Sequence, residues 1–201
     1  MTTFVIDSPE EMAELGTIVA RQLEAGDLVL LNGELGAGKT TLTRAIGEAL
    51  GIRGTVTSPT FVLARTHPRL AASASASASF PGDGSTHPHL SAPSNAPREE
   101  PIAELAPLVH IDAYRLSTAV ELDDLDIDFA TSIVVVEWGA GLLDGVSPSW
   151  LNVDIVRPTG AGNADVAEDD FAEEAIEPRT VTVTGFGPKW ADMGWLDVLS
   201  D

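Results

Sequence analysis

The sequence predicts an α/β fold in a single domain, and three observations carry that prediction. The run DLVLLN, 27–32, is apolar from Leu28 to Leu31, as a short strand buried on both faces would be. It leads straight into a glycine-rich loop and then into TTLTRAIGEALG, 40–51, which reads as an amphipathic helix. Two further runs, LVHIDAYRL at 108–116 and SIVVVEWG at 132–139, look like buried strands that carry an acid near the C-terminal end, where α/β proteins build their sites. A length of 201 residues with 44% hydrophobic content suits one domain with a sizeable core and leaves little room for two.

The elements follow in order. Residues 9–25 place Met12, Leu15, Ile18, Val19 and Leu23 at helical spacings, with Ser8 as N-cap and Pro9 in the first helical position. The helix after the loop is expected to stop at Gly51. TFVLARTH, 60–67, reads as a strand. STAVELDDLDIDFA, 117–130, holds a short acidic helix, and LNVDIVRP, 151–158, and RTVTVTGF, 179–186, alternate in part and suit later strands. Two segments break the pattern. Residues 68–107, with AASASASAS and several prolines, read as a disordered, low-complexity insertion. Residues 158–178, acidic and rich in Gly and Ala, read as a second mobile loop. Both fall between strands, where closing a longer loop costs little. The domain is expected to span 1–201 with these two insertions.

Acids outnumber bases 31 to 11, a formal net charge of -20. Nucleic-acid binding relies on Lys and Arg to displace counterions, so unaided binding to RNA or DNA is not expected. The charge itself reads as a solubility device. Cysteine is absent, which excludes disulfides and thiolate sites and suits the cytosol. The N-terminal stretch lacks the basic and apolar regions of a signal peptide, and no run of eighteen apolar residues occurs. A cytoplasmic protein with no membrane span is expected.

The chemistry concentrates at Gly33-Glu34-Leu35-Gly36-Ala37-Gly38-Lys39-Thr40, a complete match to G-x-x-x-x-G-K-[ST], with Thr41 behind it. A chance match in a chain of this length is on the order of one in a hundred. Glycines let the backbone turn its N–H groups inward around a phosphate, and the dipole of the following helix adds positive charge. Lys39, one of two lysines in the chain, supplies a full charge to the β- and γ-phosphates, and the Thr40 hydroxyl can ligate Mg²⁺. A nucleotide site also needs carboxylates. Glu137, ending IVVVE, and Asp112, ending LVHID, are the candidates. In TVTSPTF, 55–61, Thr57, Ser58 and Thr60 either sense the γ-phosphate or its metal, or belong to a Pro-containing turn. Trp138 packs in the core, beside the site or against a partner. Arg115 pairs with an acid or reaches a phosphate. His110 reads as a structural histidine. The aromatics are too sparse for a base-stacking platform.

GELGAGKTTLTRAIGEALG, VTSPTFVL, HIDAYRL and VVVEWG, in that order, resemble the bacterial TsaE (YjeE) family, over roughly 5–66 and 108–157 and more weakly 179–186. The resemblance implies a compact P-loop NTPase-type domain with a mixed, mostly parallel sheet flanked by helices. It also implies a Mg²⁺-dependent ATPase needed for the N6-threonylcarbamoyl modification of adenosine 37 in tRNAs reading codons that start with A. Its partners would be TsaD and TsaB, with tRNA engaged through them. By motif position, Lys39 would contact phosphates, Thr40 would hold Mg²⁺, and Glu137 would bind the metal directly or through water. Asp112 would position or activate the attacking water, which makes Asp112 and Lys39 the candidate catalytic residues. Thr60 would belong to a switch, and Arg179 would lie near the base. The chain departs from the family pattern in the long 68–107 segment and the enlarged 158–178 loop. Two other readings stay open: a P-loop small-molecule kinase, although 68–107 holds only Arg69 and Arg98 for a basic lid, and a nucleotide-gated assembly factor that does not hydrolyse.

Overall fold

The computed structural model describes residues 1–59, 62–69, 105–143, 145–157 and 177–199. Its strands are β1 (Thr2–Ile6), β2 (Leu28–Asn32), β3 (Ala64–His67), β4 (Leu108–Asp112), β5 (Ile133–Glu137), β6 (Trp150–Val156) and β7 (Arg179–Phe186). The helices are α1 (Pro9–Ala20), α2 (Lys39–Ala49) and α3 (Ala119–Asp123), with 3₁₀ turns at Ala113–Arg115 and Gly194–Leu199.

Local chemistry sets the helix ends. Ser8 Oγ accepts from the Glu11 N–H at 3.1 Å, and the Glu11 carboxylate accepts from the Asp7 N–H at 2.8 Å. The Asp27 carboxylate accepts from the Glu24 N–H at 2.7 Å, and Gly26, at φ 91°, turns the chain into β2. These contacts stop α1 at Ala20, short of the predicted Ala25, although Leu23 is still buried. α1 and α2 cross closely at Gly16, where a Cβ would stand 2.5 Å from that of Ala45. A capping box between Thr118 and Glu121 starts the acidic helix at 119–123, inside the segment predicted to hold it.

The seven strands form one mixed sheet in the order β1-β7-β6-β2-β5-β4-β3. β2 pairs in parallel with β5 and β6, and β4 in parallel with β5, while β1–β7, β6–β7 and β3–β4 are antiparallel. Helices α1 and α2 bury one face over Val29, Leu31, Ile133 and Val135. A smaller cluster on the other face packs Val109, Ile111, Val134 and Val136 against Leu122 and Leu143. Because β2, β4 and β5 run in parallel with Leu31 opposite Glu137 and Glu137 opposite Asp112, their C-terminal ends meet on one edge, where the glycine-rich loop begins.

Four further elements differ from the sequence reading. The strand at 108–116 ends at Asp112, whose Oδ1 accepts from the Tyr114 N–H at 3.1 Å and starts a 3₁₀ turn. Of the strand at 60–67, residues 64–67 are extended, and Thr60 and Phe61 lie outside the described residues. β1 and the C-terminal turn were not expected at all. The insertion at 68–107 lies outside the described residues from 70 to 104, and that at 158–178 from 158 to 176. At its margin Arg69 is anchored, bridging to Ile52 and donating to the Leu50 carbonyl at 2.8 Å. Among the described residues no helix is long and apolar enough to cross a membrane.

Candidate active site

β2 ends at Asn32 and the loop turns through Gly33 (φ 145°), Gly36 (φ 77°) and Gly38 (φ 114°) before α2 begins at Lys39. A Cβ on Gly33 would lie 2.4 Å from the Ile155 carbonyl oxygen of β6, so the loop presses directly on its neighbouring strand. Gly38 occupies the N-cap without a side-chain cap, which leaves the first N–H groups of α2 to the loop's concave side.

A cavity of about 190 Å³ opens there. Its walls are loop residues Leu35, Gly36 and Gly38–Thr41, together with Ser58, Asp112, Glu137 and Trp138. The structure thus brings the loop, the two strand-end acids and the segment before β3 to one place. Lys39 Nζ donates to the carbonyls of Gly33 (2.9 Å) and Glu34 (3.0 Å) and sits 3.9 Å from the centre of the Trp138 ring. Burial lowers its pKa from the ordinary lysine value, and the charges of Glu137 and Asp112 oppose that shift. Trp138 takes a left-handed backbone, φ 63°, rare for a bulky residue, and its N–H donates to the Leu31 carbonyl at 3.1 Å. Tyr114 meets its ring edge-on at 5.8 Å. Trp138 therefore lies beside the site.

The two acids are both buried, Glu137 at 4% and Asp112 at 5% exposure. The Thr40 hydroxyl donates to Glu137 Oε1 at 2.9 Å, and His110 Nε2 lies 2.9 Å from the same oxygen. His110, read from sequence as structural, is fully buried and does not line the cavity, but it touches the acid that does. The signal was its i, i+2 spacing from Asp112, which places both side chains on one face of β4.

Arg179 Nε donates to the Ala37 carbonyl at 3.2 Å and Nη1 to the Glu177 carbonyl, so it braces the loop and does not line the cavity. Thr57 accepts from Arg65 at 2.6 Å. Thr60 lies outside the described residues. The Glu34 side chain is exposed, and its backbone carbonyl is what engages Lys39.

The donors suit a hard cation. The Thr40 hydroxyl and the Glu137 carboxylate are 2.9 Å apart beside Asp112, all oxygen. Among the described residues no cluster of three His, Cys, Asp or Glu side chains is arranged to hold an ion. Mg²⁺ is commonly held by one or two carboxylates plus substrate phosphates, so such a pair next to a phosphate cradle fits it.

Comparison with known proteins identifies the family. The family described as "Threonylcarbamoyl adenosine biosynthesis protein TsaE" matches residues 6–75 and 95–163. A Streptomyces coelicolor protein named tRNA threonylcarbamoyladenosine biosynthesis protein TsaE is 45% identical over 183 residues, 90% of this chain and 94% of that one. Proteins of the same name from Mycobacterium tuberculosis and Bacillus subtilis are 37% and 30% identical, covering 77% and 75% of this chain and 79% and 74% of theirs. The crystal structure of Bacillus subtilis YdiB superposes with a TM-score of 0.56, covering 99% of this chain and 93% of that one at 21% identity, a likeness of fold. The chain belongs to the TsaE family of threonylcarbamoyl adenosine biosynthesis proteins.

Proposed function

We propose that this chain is a Mg²⁺-dependent ATPase that serves the threonylcarbamoyladenosine modification of tRNA together with TsaB and TsaD. The observation that carries the reading is the bond from the Thr40 hydroxyl to Glu137 at the mouth of a glycine loop whose lysine is already buried in the cavity. The naming of relatives for threonylcarbamoyladenosine biosynthesis supports the pathway.

On this reading the backbone of 33–38 and the start of α2 cradle the β-phosphate. Lys39 exchanges the carbonyls of Gly33 and Glu34 for β- and γ-phosphate oxygens. Thr40 and Glu137 would hold the metal, which would supply positive charge against the charge that develops on the phosphates. Asp112, anchored by the Tyr114 N–H, orients a water in line with the γ-phosphorus. The water's oxygen bonds to phosphorus as the bond to the bridging oxygen breaks, giving ADP and phosphate. No arginine lines the cavity among the described residues, so hydrolysis by the isolated chain is slow and a partner completes the site. The net charge of -20 leaves the gripping of tRNA to that partner.

Depleting the protein and analysing tRNA nucleosides by mass tests the reading. Loss of threonylcarbamoyladenosine is expected, and unchanged levels would reject it. Adding TsaB and TsaD should raise the ATPase rate. ATP-dependent phosphorylation of a small acceptor would instead point to a kinase.

A further inference from the structure

We propose that His110 is a positioning residue for the metal side of the site: it pins one oxygen of Glu137 and so fixes the carboxylate that Thr40 meets. The inference rests on the reading that Thr40 and Glu137 hold Mg²⁺.

The sheet register makes the contact. His110 pairs with Val135 and Asp112 with Glu137, so all four side chains point toward the face that α2 covers. His110 is fully buried, and its Nε2 lies 2.9 Å from Glu137 Oε1. A carboxylate only accepts, so Nε2 carries the proton and donates. Thr40 donates to the same oxygen at 2.9 Å. Two donors from different elements, one on β4 and one on α2, converge on one atom and remove the rotation of the carboxylate about its last bond. With Thr40 alone, Glu137 would keep its oxygen on an exposed-side hydroxyl that must also turn to the metal.

The other ring nitrogen argues against a purely structural histidine. Nδ1 is buried and without a hydrogen-bond partner. A half-satisfied imidazole in a core carries an uncompensated desolvation penalty, so packing alone is better served by an apolar ring. What the histidine adds at this position is the donor to Glu137. Partners that orient metal-binding groups typically alter metal affinity about 10–100-fold when removed.

Calorimetric titration with ADP, in the presence and absence of Mg²⁺, tests this on the full chain without relying on turnover. In the parent protein Mg²⁺ should tighten ADP binding. His110→Phe keeps a buried ring and removes the donor. It should leave metal-free ADP binding unchanged and raise the Mg²⁺ concentration needed for the effect by about 10-fold or more. His110→Gln, whose amide N–H reaches near the Nε2 position, should restore the parent response. An unchanged Mg²⁺ response in His110→Phe overturns the proposal. Should that variant fail to fold, His110→Asn serves against His110→Gln. The shorter amide should lose the response and the longer keep it, and equal responses overturn the proposal. A parent protein that binds ADP with no Mg²⁺ dependence removes the underlying reading of Thr40 and Glu137, and this inference with it.

Discussion

Replacing Gly33 with alanine separates two costs that the fold imposes at one position. The backbone there sits at φ 145°, a region that side-chain-bearing residues rarely enter, and a Cβ would meet the Ile155 carbonyl oxygen at 2.4 Å. That oxygen belongs to backbone in a strand bonded on both sides, to β2 and β7, so it cannot rotate away. The conformational cost is about 1–3 kcal/mol and the overpacking adds about 1–3 kcal/mol. The sum of about 2–6 kcal/mol lowers Tm by roughly 5–20 °C in a chain of this size. Gly51→Ala is the control: φ is 69° and nothing stands within 4 Å of the added carbon. It incurs only the left-handed penalty of about 1–2 kcal/mol, a loss of roughly 2–8 °C. Thermal unfolding followed by circular dichroism, with ADP affinity measured well below both midpoints, reads the two effects. Gly33→Ala should be the less stable variant and should bind ADP more weakly even when folded, because the loop must leave β6. Equal Tm values, or parent-like affinity in Gly33→Ala, would refute the claim that β6 shapes the phosphate loop.

Asp112→Ala should bind ATP as the parent does yet lose ATP hydrolysis and threonylcarbamoyladenosine formation in complementation. Modification that persists would make the protein a nucleotide-gated clamp. Thr40→Val keeps the side chain's shape and removes the bond to Glu137, so the Mg²⁺-dependent part of ADP affinity should fall while the metal-free part stays, as calorimetry can resolve. Lys189 donates to Asp27 at 2.6 Å and to Glu24 at 2.7 Å. Burial lowers its pKa, but the hydrogen bonds to Asp27 and Glu24 outweigh that and hold it above the ordinary lysine value. A raised folded value means the stabilisation is complete below the unfolded pKa of about 10.4 and is lost as pH rises through the folded one. Lys189→Met should therefore cost at most about 1 kcal/mol at neutral pH, because solvent screens this largely exposed ammonium, with the gap to the parent closing in alkali, and a gap that stays constant across that range would count against the pair.

The strand, loop and helix from 27 to 51 were legible because everything that defines them is local: an apolar run, glycines where the turn needs them, and a helical period. The acids at Glu137 and Asp112 were legible for a similar reason, since each closes an apolar run. What escaped depends on distant pairing. β1 has a half-apolar, five-residue sequence and is a strand because β7, far along the chain, lies beside it, with Thr3 opposite Thr182 and Phe4 opposite Val181. α1 stops early because of Asp27, an acid beyond the helix whose carboxylate captures the Glu24 N–H. His110 looks like any buried strand histidine until the β4–β5 register sets its ring beside Glu137. Arg179 was expected near the base by family likeness alone, and its hold on the Ala37 carbonyl depends on the sheet bringing β7 beside the loop.

The proposed function depends above all on Lys39, held in the cavity by two loop carbonyls, gripping the terminal phosphates of ATP. Equilibrium binding of ATP to Lys39→Met, compared with the parent, tests it most directly. Affinity should fall at least about 10-fold, the scale of one lost charge-assisted hydrogen bond of about 1.5–3 kcal/mol. Affinity equal to the parent's in the folded variant would contradict it.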